Sequence, residues 1–206
     1  MNRAEIKEKA RKMIKGRLWE VWKPMLIVMV IGSLIGAVTA GIDPKGTNTA
    51  LSAVTIVLEF LLYPLSVGLY AYFLNFIRGK KLDVNKIWDY YKNTWPIILV
   101  CFFLMLFVGL WTLLFVIPGI IAALSYSMVM YLMADGDIDS TNTLKRSKEM
   151  MDGYKWDYFV FGLSFILWIL LVMITFGIAI IYVAPYMSIA NALYYEELKK
   201  KKKIKA

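Results

Sequence analysis

The sequence predicts an all-α polytopic membrane protein: six transmembrane helices forming three hairpins, each preceded by a cytoplasmic, interfacial amphipathic helix. Three observations lead there. Hydrophobic residues make up 60% of the 206, where a soluble domain holds about 45–50%. The apolar residues gather into four runs, at 25–42, 50–77, 97–134 and 158–195. Lys and Arg gather between them, with eight in block 1–24, five in 78–96, four in 135–157 and six in 196–206, which leaves Lys45 alone.

The first run, 25–42, is one span. The preceding 23 residues carry eight Lys or Arg and three Glu, too charged for the start of a cleaved leader. Run 50–77 is a second span with Pro64 inside it. Runs 97–134 and 158–195 are each 38 residues. As single helices they would be about 57 Å long at 1.5 Å per residue, against a hydrocarbon core of about 30 Å. Both are flanked on each side by basic blocks, and basic loops mark the cytoplasmic face. A segment returning to its own side crosses an even number of times, so each run folds back. The turns are assigned to Pro118-Gly119, where Pro donates no backbone hydrogen bond and Gly adapts its dihedrals, and to Thr175-Phe176-Gly177. Residues 43–49 form the one polar outer loop. Both termini lie in the cytoplasm.

The basic blocks read as amphipathic helices. Ile6, Ala10, Met13, Ile14, Leu18, Val21 and Trp22 recur at helical spacing, as do Val84, Ile87, Trp88 and Tyr91 after an Asp83 cap, and Leu144, Ser147, Met151 and Tyr154. Such helices lie in the interface plane. The order amphipathic helix, span, turn, span thus occurs three times, in units 1–78, 79–136 and 137–195 of one membrane domain, followed by a polybasic tail at 196–206. Tyr70 and Asn75, Tyr126 and Tyr131, and Tyr186 and Asn191 superpose in the three returning spans.

The stretches "MNRAEIKEKA", "IPGIIAALSYSMVMYLMAD", "LKRSKEMMDGYKWDYFVFGLSFILWILL" and "VAPYMSIANALYYEEL" resemble the bacterial membrane family catalogued as domain of unknown function nine-seven-five. The resemblance covers nearly the whole chain, and residues 43–60 match least. It implies a multi-pass protein of the bacterial cytoplasmic membrane. It brings no reaction, ligand or functional residue with it.

With no His and a single Cys, Cys101, imidazole catalysis, intrachain disulfide pairing and Cys-based metal sites are excluded. No catalytic, cofactor or metal motif is found, and an enzyme is not expected. Asp135-Gly-Asp-Ile-Asp139 opens like a calcium loop, but Ser140 and Arg146 stand where a Gly and an acid are needed. It reads as a turn and helix cap. Glu59 is the one carboxylate inside an apolar run. It lies about 27 Å up the helix from Ile77, a position that favours an interfacial carboxylate over a proton or cation site. Asn75, Tyr131 and Asn191 near three inner helix ends suggest a polar cluster, or simple interhelical hydrogen bonds. Gly32 and Gly36 give the first span a small face for helix packing or an oligomer seam.

The expected function is non-enzymatic: an accessory protein that binds lipid, anionic inner-leaflet lipid above all, or another membrane protein, including its own copy. A small transporter or channel is the alternative, motivated by the repeats and broken helices. Nucleic acid is not expected as a partner, since no folded basic platform accompanies the tail.

Overall fold

The computed structural model describes residues 2–42, 48–139 and 142–202, and these are mostly helical, with no strand among them. Helices α1 (Arg3–Ile14), α2 (Leu18–Ile42), α3 (Thr49–Leu61) and α4 (Tyr63–Ile77) are followed by a 3-10 helix, Val84–Asn93. Then come α5 (Thr94–Leu114), α6 (Val116–Ser125), α7 (Val129–Ala134), α8 (Asn142–Met151), α9 (Lys155–Leu163), α10 (Ile166–Ile174) and α11 (Ile180–Lys201). Among the described residues, five segments are long and apolar enough to cross a membrane: Leu18–Ile42, Thr49–Ile77, Val84–Leu114, Val116–Ala134 and Lys155–Ile174. Helix α11 stands outside that set. It is charged from Glu196 onward, and its inner part, including Tyr186, Ile189, Ala190 and Tyr194, is buried in protein.

Burial is concentrated in one part of the molecule. The core joins Ile6, Ala10 and Ile14 of α1, Phe73 and Phe76 of α4, Met128 and Leu132, Met150 and Met151 of α8, Phe161, and the inner face of α11. Beyond this base the helices carry bare apolar side chains: Leu113 is 85% exposed and Phe176 98%. The stripes expected to lie on lipid turn inward instead. Ile6, Ala10 and Ile14, and likewise Leu144, Ser147 and Met151, are buried, so these helices are clamped to the protein. Residues 84–93 form a 3-10 helix rather than an α-helix, capped as expected by Asp83, whose side chain accepts from the Asn85 N–H.

One turn falls elsewhere than the sequence suggests. α5 and α6 fold back on each other, with Gly119 against Thr112 and Phe107 stacked on Tyr126. The break is at Phe115, in extended conformation (φ −157°, ψ 142°). Pro118 and Gly119 lie inside the first turns of α6. The reason is that a first-turn N–H has no helical acceptor, so Pro loses nothing there, while Gly119 lets Thr112 approach. The third break is where the sequence puts it: Phe176 and Gly177 both take positive φ, 49° and 90°, between α10 and α11. Of the loop 43–49, residues 43–47 lie outside the described residues; Asn48 caps α3 by accepting from Leu51 N–H. The tail assigned from 196 is helical to Lys201, with 203–206 outside the described residues.

Gly68 of α4 carries the backbone of the 3-10 helix directly on its surface: a Cβ there would lie 2.7 Å from Ile87 Cα. Gly68→Ala should therefore lower stability by about 1–3 kcal/mol. Gly109→Ala, with nothing within 4 Å of the added carbon, should not destabilise. Thermal unfolding of both variants in detergent checks this.

Candidate functional site: a charged node at three helix ends

Two helices of the base end in the same way. α4 closes with Arg78 at its C-cap followed by Gly79, and α7 closes with Asp135 at its C-cap followed by Gly136. Both glycines take positive φ, 66° and 99°, the left-handed conformation that stops a helix and leaves the capping side chain at its end. The two caps meet. Arg78 Nη1 donates to Asp135 Oδ1 at 2.7 Å and Nη2 to Oδ2 at 3.0 Å, a two-pronged pair. α11 completes the cluster. Tyr195 O–H and Lys199 Nζ donate to Asp135 Oδ2 at 2.8 and 2.6 Å, and Glu196 accepts from Arg78.

The node holds two cations and two carboxylates. The Asp135 side chain is 6% exposed. Burial pushes its carboxyl up, but hydrogen bonds from Arg78, Lys199 and Tyr195 outweigh this and hold it below the ordinary value. Burial likewise works against the Arg78 charge and is outweighed by Asp135 and Glu196, leaving the guanidinium above its ordinary value. Both charges are therefore fixed at physiological pH. With four donor contacts on its two oxygens, Asp135 serves as a structural anion.

Around the node the structure sorts the polar residues expected to cluster. Tyr131 is buried, stacked on Tyr195 at 5.1 Å between ring centres and met edge-on by Tyr70 at 4.7 Å. Asn191, one turn before Tyr195, accepts from Tyr158 O–H at 2.9 Å and donates to the Met187 carbonyl at 2.8 Å. Asn75 is not with them. It lines a separate cavity of about 330 Å³ with Tyr72, Lys86, Asp89, Tyr90 and Asn93. Glu59 is exposed on α3, away from the node. Gly32 faces Leu62, with 3.9 Å to its Cδ1 from an added Cβ, while Gly36 is open on the surface of α2. Among the described residues no group of three acidic or sulfur side chains is placed to hold a metal ion.

In the sequence, Arg78, Glu196 and Lys199 count as loop and tail charges and Asp135 as part of a turn and helix cap, so the meeting of the four goes unseen there. The available signal was the pair "RG" and "DG", each a charge followed by glycine at the end of an apolar run.

A family model matches residues 1–123 and again 105–202. The chain belongs to the family described as protein of unknown function (DUF975). No curated protein and no solved structure matches it. For this DUF975 chain, Asp135→Ala should cost about 3–5 kcal/mol by leaving the Arg78 charge underpaired in the base, read as a fall in Tm in detergent. The pH dependence has a definite sign. Because the folded Asp135 value lies below the ordinary 3.8, its stabilisation is complete above 3.8 and is lost as pH falls through the folded value. The Tm gap between the wild type and Asp135→Asn should stay constant above that pH and close below it.

Proposed function

We propose that this protein is a six-span protein of the bacterial cytoplasmic membrane that works by binding lipid or another membrane protein rather than by catalysis. The carrying observation is the division between a base in which Arg78, Asp135, Glu196 and Lys199 satisfy one another and outer helices whose apolar side chains are bare. The node spends its four charges on the architecture, and the exposed surface of the outer helices suits lipid or another apolar helix.

The node also supports the even crossing. Arg78 touches Asp135, and both touch α11, so residues 79–134 and 136–194 each leave this face and return to it. If Lys155–Ile174 crosses the bilayer, α11 crosses back and is the sixth span. The first excursion closes in the same way, because Arg17, just before α2, sits over Phe76 near the end of α4, 4.4 Å from the ring centre. Two excursions that meet at the node and a first that closes on Phe76, two residues before Arg78, fit the threefold unit order. The transport alternative gains nothing from Glu59, which lies exposed on α3 away from the buried polar groups.

Topology is tested by replacing Cys101 with Ala and introducing single cysteines at Phe115, Phe176 and Lys200. The first two should react with an impermeant thiol reagent from the outer side, and the third only from the cytoplasmic side; labelling of Phe176→Cys from the cytoplasmic side alone would refute the six-span arrangement. Binding is tested by mass spectrometry of material retained after mild detergent extraction. A selectively retained lipid or membrane protein is expected, and recovery of the chain with neither would count decisively against the accessory role.

A further inference from the structure

The cations of α1 do not all face open water. Arg3, Lys7 and Arg11 recur every four residues and share one helix face. That face borders a groove of about 750 Å³ between α1 and α9, which also takes in Val160 and Ser164. Lys7 Nζ donates to the Ser164 carbonyl and hydroxyl oxygens, both at 3.1 Å, and lies 5.0 Å from the centre of the Phe165 ring. The Arg11 guanidinium stands over Trp168 and Tyr186, 5.5 and 5.4 Å from their ring centres.

The nearby carboxylates are engaged elsewhere. Glu8, which lines the groove, pairs with Lys12 at 2.7 Å. Asp157 lies 3.7 Å from Arg3 and accepts from the Tyr194 hydroxyl. No carboxylate among the described residues forms an ion pair with Lys7 or Arg11. Burial, with the Arg11 charge beside it, lowers the Lys7 ammonium below its ordinary value, as expected for two cations held close with no anion between them.

The groove lies on a boundary. On one side are Arg3, Asp157 and Lys155 at the start of α9. On the other, Leu163, Ile166 and Leu167 are exposed, Leu167 at 73%. Cations and a hydroxyl at the edge of an apolar surface, flanked by Trp168, are the chemistry that receives a lipid headgroup. We propose that Arg3, Lys7, Arg11 and Ser164 form a headgroup site for an anionic phospholipid, with its phosphate at Lys7 and Arg11 and its chains along Leu163 and Leu167. This rests on the lipid-binding reading above and gives it a location and a charge.

The test is native mass spectrometry of the full-length protein after exposure to detergent-solubilised phosphatidylglycerol and phosphatidylcholine. Wild type should retain phosphatidylglycerol preferentially. Lys7→Gln/Arg11→Gln should lose that preference by roughly tenfold, Lys7→Arg/Arg11→Lys should keep it, and Lys9→Gln/Lys81→Gln, with the same net charge as the first variant but changed at exposed residues that do not line the groove, should also keep it. If the double neutralisation does not fold, Arg11→Gln alone carries the same expectation with a smaller loss. Equal loss in the Lys9/Lys81 variant, or none in the Lys7/Arg11 variant while wild type stays selective, would overturn this site and leave the broader reading standing. A wild type with no preference would overturn both.

Discussion

The pairing of Arg78 with Asp135 is the constraint on which the inner half of the molecule depends. Both residues cap helix C-termini, where unpaired carbonyls give a partial negative charge. Arg78 suits such a place. Asp135 does not, because its carboxylate adds negative charge to the negative end of α7 and does so in a largely buried position. It is tolerated because the guanidinium of the neighbouring helix end grips both oxygens and α11 adds an ammonium and a phenol. A conflict local to one helix is thus resolved by docking three. The register of α4, α7 and α11 follows, and with it the stacking of Tyr131 on Tyr195.

The physics changes with distance from this node. In the base, side chains pack as in a soluble core, and the apolar stripes of α1 and α8 are used up in that packing. Farther out, α2, the outer part of α5 and the α10–α11 turn are apolar on nearly every side. Between such surfaces in lipid there is no hydrophobic drive to associate, and contact rests on shape and small residues. Close approach there is accordingly found where glycine permits it, at Gly119 against Thr112.

Much of this architecture was legible in the sequence and some of it was not, for physical reasons. Hydropathy located the apolar segments because burying backbone in lipid demands long apolar helices. The left-handed break at Phe176-Gly177 was marked by its glycine. The break at Phe115 was not, since Pro118, the conspicuous residue nearby, is also at home in the first turn of a helix. Periodicity found the stripes of α1 and α8, but a period does not say whether a stripe meets lipid or protein. Of the polar residues near the helix ends, Tyr131 and Asn191 lie beside the same turn of α11, while Asn75 faces a separate cavity. Asp135 and Lys199 were hidden because a charge in a loop and a charge in a network look alike until their partners, 64 positions apart, are brought together.

The same separation gives the node a direction in time. Synthesis delivers Arg78 first, Asp135 next, and Tyr195, Glu196 and Lys199 after another full excursion. Until α11 arrives, Asp135 has only Arg78 to offset its charge, and the base lacks the helix that covers Tyr131. Without α11, that face of the base is an open, charged seam. A chain lacking α11 would differ from the finished one in leaving Asp135 with Arg78 as its one partner at the node and Tyr131 without the ring of Tyr195 upon it.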